Sequence, residues 1–143
     1  MFSKTTEYAL RATIYIAKKG TKENKLGIDE IAKEIGSPRS FTAKILQQLS
    51  KGNKIVSSVR GPNGGFYLTE KAKSLPIYNI LEVMGEEDLF KKCVLGLKKC
   101  TETKPCPLHF QYKGIKSDLI KMFEQNTIQD LIDDREKRKL FYK

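Results

Sequence analysis

Between Ile28 and Leu68 the apolar positions change period, and the change marks the elements. Ile28, Ile31, Ala32 and Ile35 recur at helical spacing, and Gly36 follows as a stop signal. Ser37 and Pro38 restart a helix, with Ser as N-cap and Pro at the first helical position, where no amide hydrogen is needed. Phe41, Ile45 and Leu49 form its predicted buried stripe, Arg39, Ser40, Thr42, Lys44 and Gln47 face outward, and Gly52 ends it. Ile55 to Arg60 is β-prone, Pro62-Asn63-Gly64-Gly65 is turn chemistry, and Phe66-Tyr67-Leu68 is a return strand. Helix, turn, helix and hairpin in this order predict a winged helix.

The flanks add helices. A first helix is expected from about Thr5 to Lys18, with Leu10, Ile14 and Ala17 on one face and Ala9, Thr13 and Ile16 beside them. Gly20 to Lys25 is a polar loop, and Thr69 to Pro76 is a hydrophilic connector. Ile77, Ile80, Leu81 and Met84 predict a short helix ending at Gly85. From Glu86 to Pro107 the periodicity breaks down. Leu108, Tyr112, Ile115, Leu119 and Met122 then recur at the alternating spacings of an a/d seam two heptads long, interrupted only by Gly114. Such a seam packs on a partner helix, here expected to be the same helix of a second copy, although packing back onto its own domain would also satisfy it. Thr127 with Asp130 can cap a last short helix through Ile132. The predicted fold is mainly α with a small β-hairpin. A winged helix-turn-helix domain spans 1–75, a sensor loop and dimerisation helix span 76–133, and a charged tail spans 134–143.

Composition supports a folded protein, with 39% hydrophobic and 31% charged among 143 residues. No apolar run approaches the roughly 20 residues of a membrane span, and the N-terminal stretch lacks the apolar core of a signal peptide. A cytoplasmic protein without a membrane partner is expected.

Charge then separates the halves. Residues 1–75 carry 14 Lys and Arg against 6 Asp and Glu, whereas 76–143 carry 13 against 11. The excess lies in the winged-helix half, as a polyanion-binding domain requires. RNA readers usually add aromatic stacking platforms, and none is evident. Double-stranded DNA is therefore the expected partner, with the second helix in the major groove and the glycine-rich basic turn at the backbone or minor groove. Arg39, Ser40, Ala43 and Lys44 would face the major groove, with Arg60, Pro62, Asn63, Gly64 and Gly65 at the minor groove and Arg11 near the backbone. A two-fold dimer would match a palindromic operator.

All three cysteines and the only histidine fall within 17 residues, as Cys93, Cys100, Cys106 and His109, spaced C-x6-C-x5-C-x2-H. Thiolates suit iron–sulfur clusters, zinc or Cu(I), and an imidazole can complete the set. Structural zinc usually shows tighter C-x2-4-C pairs, so zinc fits this spacing less well. Lys91, Lys92, Lys98, Lys99 and Lys104 surround the thiols and are expected to favour thiolate. A thiol redox switch and a loop without any ligand are the other readings. Catalysis is not expected, because no phosphate loop, dinucleotide fingerprint or zinc-protease motif occurs. The Cys106–His109 pair also has no evident orienting group or oxyanion donor.

The run Ser57-Ser58-Val59-Arg60-Gly61-Pro62-Asn63-Gly64-Gly65-Phe66 resembles the wing of the IscR/NsrR/CymR family of bacterial winged-helix transcription regulators. Thr6-Glu7-Tyr8-Ala9-Leu10-Arg11 is similar to that family's first helix, and the cysteine region resembles its cluster-binding members. The resemblance implies an iron–sulfur cluster on Cys93, Cys100 and Cys106 that controls operator binding. It implies two alternatives for the fourth ligand. His109 stands in the place used by IscR-like proteins, and Glu7 in the place used by NsrR-like proteins, where the partner subunit supplies it. Both [2Fe–2S] and [4Fe–4S] remain open. Family members without a cluster, controlled by thiol oxidation or a protein partner, are the alternative. Two departures stand out. The gap between Cys93 and Cys100 is one residue longer than the family's common five, and Ala43 and Lys44 replace the Glu and Gln with which IscR-like proteins read bases.

Overall fold

The computed structural model describes residues 1–137, with side chains described over 1–133. Helix α1 (Lys4–Lys19) starts on Ser3, whose hydroxyl accepts from the Thr6 amide, with Glu7 in the first turn and Lys18 and Lys19 in the last. Those charges complement the helix dipole at both ends. Its core face is Ala9, Ala12, Thr13 and Ile16, all buried, while the predicted face residues Leu10 and Ile14 are only half-buried. Small residues let α1 lie close against α2 (Ile28–Ile35) and α3 (Arg39–Leu49), and Thr13 satisfies its hydroxyl on the Ala9 carbonyl at 2.8 Å. Helix α2 ends as predicted, with Gly36 left-handed at φ 67° and its amide on the Ala32 and Lys33 carbonyls.

Helix α3 corrects two expectations. Pro38 is extended, at ψ 145°, and itself occupies the cap position, while the Ser37 hydroxyl turns to the Pro38 carbonyl at 3.3 Å. The buried stripe is Thr42, Ile45, Leu46 and Leu49, at i, i+3, i+4 and i+7, and Phe41 is left 49% exposed. Thr42 can enter the core because its hydroxyl donates to the Pro38 carbonyl at 3.0 Å, leaving no polar group unpaired. Phe41→Ser is therefore expected to cost about 1 kcal/mol in urea unfolding, against about 3–5 kcal/mol for truncating a core Phe. A loss in the higher range would return Phe41 to the core.

After Gly52, at φ 68°, the chain buries Ile55 and Val56 and enters an antiparallel hairpin shorter than predicted. Strand β1 (Ser57–Val59) pairs with β2 (Gly65–Tyr67) in the register Ser57–Tyr67, Ser58–Phe66 and Val59–Gly65. Leu26 adds a third rung through two backbone bonds with Phe66, at 2.9 and 2.8 Å. A single-residue bridge has no period, so the sequence pattern did not announce it.

The expected connector contains a one-turn helix, α4 (Glu70–Lys73), capped by the Thr69 hydroxyl on the Ala72 amide. Helix α5 (Tyr78–Val83) ends before Gly85, which is left-handed at φ 75°, and a 3₁₀ turn over Glu86–Phe90 opens the cysteine loop. Helix α6 (His109–Gln125) runs unbroken through Gly114. It is held on the domain by Phe123, whose ring lies 5.5 Å from Phe2 and 6.1 Å from Phe90. Helix α7 (Ile128–Lys137) opens with the predicted reciprocal cap between Thr127 and Asp130 and runs past Ile132 to lie against α1. Of the predicted charged tail, 138–143 lie outside the described residues. Among the described residues no helix is long and apolar enough to cross a membrane.

Candidate metal centre and nucleic-acid interface

The outward face of α3 presents Arg39, Ser40 and Lys44 exposed, with Ala43 half-buried between them. Arg39 is not idle: its Nε donates to Asp29 Oδ1 at 2.7 Å, tying the start of α3 to α2. Both partners are exposed, so the pair is weak enough to exchange for a phosphate. At the wing, Arg60, Pro62 and Asn63 are exposed at the tip. Gly61 is left-handed at φ 106°, and the Gly64 amide closes the turn on its carbonyl at 2.9 Å. A Cβ on Gly64 would lie 2.1 Å from the Val59 carbonyl oxygen. One on Gly65 would lie 2.7 Å from the Leu26 carbonyl oxygen. The glycines are thus demanded by the turn itself and by the third rung.

Arg11 stands half-buried on α1, its guanidinium 5.8 Å from the Tyr8 ring. Sequence pattern did not single out Lys51 and Lys54, which are exposed around the Gly52–Asn53 turn below α3. Both backbone positions are left-handed, Gly52 at φ 68° and Asn53 at φ 51°, and the Asn53 side chain accepts from the Ser58 amide at 3.0 Å. The Lys-Gly-Asn-Lys run carried the signal as a basic turn immediately after a helix.

The fold brings the four sulfur and imidazole donors together where the cysteine loop meets the start of α6. The three thiol sulfurs all lie within 4.8 Å of one another, and none is in a disulfide. Cys93 Sγ is 3.7 Å from Cys106 Sγ, and Cys100 Sγ is 3.2 Å from His109 Nδ1. His109 Nε2 is buried without a partner. An orphaned buried imidazole nitrogen is costly, and three soft sulfurs with an imidazole beside one of them are a donor set suited to a thiophilic metal or an iron–sulfur group. Glu7 is not in this group. It sits on the first turn of α1, 3.7 Å from the Lys4 ammonium.

The cause of thiol activation differs from the expected one. Cys93 is held down to about 7, first by the Leu97 amide and then by the Leu95 amide, with its neighbouring thiols helping against burial. The flanking lysines are exposed, and water screens them. The Cys106 amide is the largest influence on Cys100 and lowers it, yet desolvation and the adjoining thiols together leave that thiol raised. A groove of about 450 Å³ between Leu97 and Lys104 is lined by Cys100 and Cys106.

The loop is anchored at both ends. Glu86, missed in the sequence, accepts from Thr6 Oγ1 at 2.8 Å and from the Ser3 amide at 3.2 Å. Burial raises its carboxyl, but the Ser3 and Thr6 donors and the Lys92 charge outweigh it and hold the group below its ordinary value. The loop's entrance is therefore fastened to the N-terminus of α1, and its exit is the first turn of α6.

Comparison with known proteins agrees along nearly the whole chain. The family model described as Rrf2, iron-dependent transcriptional regulator, matches residues 2–134. A protein of Aquifex aeolicus (strain VF5) described as an HTH-type transcriptional regulator is 37% identical over 139 residues, 96% of this chain and 94% of that one. The HTH-type transcriptional regulator NsrR of Oceanobacillus iheyensis is 28% identical, covering 93% and 90%. Among solved structures, CymR, the global cysteine regulator of B. subtilis, superposes with a TM-score of 0.74 at 20% identity, covering 94% of this chain and 97% of that one. T. potens IscR gives 0.72 at 18%, covering 98% and 91%. These two likenesses support the winged-helix fold.

Proposed function

The chain belongs to the Rrf2 family, a transcriptional regulator and not an enzyme, and we propose that it acts in the cytoplasm as a homodimer. In this reading an iron–sulfur cluster on the cysteine loop controls its binding to a palindromic operator. The winged helix of 1–75 would bind DNA, and 76–133 would sense and dimerise. The observation that carries this reading is the convergence of the Cys93, Cys100 and Cys106 sulfurs within 4.8 Å of one another at the head of α6, with His109 Nδ1 3.2 Å from the Cys100 sulfur. Those thiols would hold the group, with His109 as fourth ligand in the same chain or Glu7 supplied across a dimer. A cluster of either type supplies a redox-responsive, oxidation-labile centre.

The chain's own residues would do the rest. Lys51 and Lys54 would join Lys44 and Arg60 on the phosphates, while Arg39, Ser40 and Ala43 face base edges and Pro62 to Gly65 approach the minor groove. Glu86 fastens the loop to α1, and α1 packs on α2 and α3. A loop drawn together by its ligand would fix α6 relative to α3, and so set the spacing of two recognition helices across a dimer.

Anaerobically purified protein is expected to contain iron and acid-labile sulfide, to absorb in the visible, and to lose all three properties with Cys106→Ala. Cluster-loaded and cluster-free protein should then differ at least tenfold in operator affinity at one salt concentration. Equal affinities would end the sensing role. The 3.7 Å approach of Cys93 and Cys106 favours thiol oxidation as a second reading. Colourless, iron-free protein that binds DNA only when reduced would select it.

A further inference from the structure

We infer that Phe41 reads a thymine: its ring packs on the C5-methyl group of an A·T pair in each half-site, and so selects sequence where the neighbouring lysines supply only affinity. The inference rests on the winged helix binding DNA as proposed above, and deepens that reading by naming a base. On α3, Phe41 is the one large apolar side chain left in solvent, 49% exposed. Thr42, Ile45, Leu46 and Leu49 already fill the core face, so the ring has no place there. Ser40, Lys44 and Gln47 beside it are exposed, and Gln48 is half-buried.

Helical geometry fixes which wall of the groove the ring meets. At about 100° per residue, Phe41, Lys44 and Gln48 form one stripe along a flank of the outward face, with Ser40 and Gln47 nearer its centre. Arg39 lies on the opposite flank, toward α2, where its Nε meets Asp29. The stripe leads into Lys51 and Lys54, which line a groove of about 400 Å³ with Gln48 and Val83. Ammonium groups along that flank would lie against the phosphates of one strand. Phe41 stands at the other end of the stripe, in the first turn of α3, and it is the N-terminal residues of a recognition helix that reach base edges. In the major groove those edges offer hydrogen-bond donors and acceptors and one apolar group, the thymine methyl. A phenyl ring cannot pair with the polar groups, and pressing on them would strip their water without replacement. Against the methyl group, both surfaces shed water at a gain.

The test removes one methyl group and nothing else. Anaerobically purified full-length protein selects its preferred duplexes from a random library, and each thymine of the selected half-site is then replaced singly by uracil, which keeps the same hydrogen-bonding edge. The wild-type chain should lose about fourfold in affinity at one thymine, the worth of one buried methyl group. Phe41→Ser should weaken binding to the thymine duplex and no longer distinguish thymine from uracil at that position. Phe41→Leu, still apolar, should keep most of the discrimination, which separates the contact from a loss of fold. Two results would overturn the inference while leaving DNA binding by the winged helix in place: no thymine sensitive to uracil in the wild-type chain, or undiminished sensitivity in Phe41→Ser. Failure to select any sequence would remove the operator reading itself, and this inference with it.

Discussion

Ile115→Asp is expected to leave each chain folded, to convert the proposed dimer to a monomer, and to lower operator affinity on the order of 10³-fold. Leu108, at the cap of helix α6, is exposed at 41%, and α6 exposes Ile115 at 57% and Met122 at 47%, one heptad apart, and turns Phe123 inward. Among the described residues nothing covers that apolar row. An aspartate at its centre would face the partner's seam, and an unpaired charge buried there costs several kcal/mol. A lone recognition helix keeps half the contacts of a palindromic site, and a loss of about 4 kcal/mol corresponds to roughly 10³-fold. Sedimentation velocity and operator binding by fluorescence anisotropy read both effects. A variant that remains dimeric would remove the α6 seam from the interface, and one with collapsed helical signal would place Ile115 in the chain's own packing.

Gly64→Ala should act at the other end of the molecule and leave the proposed dimer intact. The new methyl group would have to sit 2.1 Å from the Val59 carbonyl oxygen and 3.0 Å from that of Gly61, both backbone atoms that cannot swing aside. The turn must open, breaking the Gly64–Gly61 bond and moving Arg60 and Asn63 from their positions at the tip. The core below is not touched, since Ile55, Val56 and Leu68 lie on the far side of the hairpin's paired residues. Operator affinity should fall at least tenfold, about 1.4 kcal/mol, with the melting temperature nearly unchanged. Full affinity would show that the wing does not engage DNA. A large fall in melting temperature would show that it braces the core.

Much of this was legible in the chain itself. Hydrophobic period alone located α1, α2, α3, α5 and α6, because a helix face repeats over many residues and a single error does not erase it. Turn chemistry at Gly36, at Pro62 to Gly65 and at Thr127 with Asp130 was readable because caps and tight turns are satisfied by neighbours three or four residues away. Cysteine spacing picked out the three thiols that the fold brings together, and charge asymmetry gave the ground for expecting a polyanion partner. Where α3 was misread, the cause is instructive. Phe41 outranks Thr42 on any hydrophobic scale, yet Thr42 completes the stripe with Ile45, Leu46 and Leu49 once Pro38 supplies an acceptor for its hydroxyl.

What only the tertiary structure decided are relations between residues far apart in the chain. The Leu26–Phe66 rung, the Glu86 clasp on Ser3 and Thr6, and the Phe2–Phe123–Phe90 ring cluster link segments with no shared period. The same holds for the candidate metal centre. Residue types and spacing picked out Cys93, Cys100, Cys106 and His109, but the sulfur distances are set by the turns of the loop and by its anchoring at α1 and α6. Those distances follow from backbone closure in three dimensions, which a one-dimensional spacing does not contain.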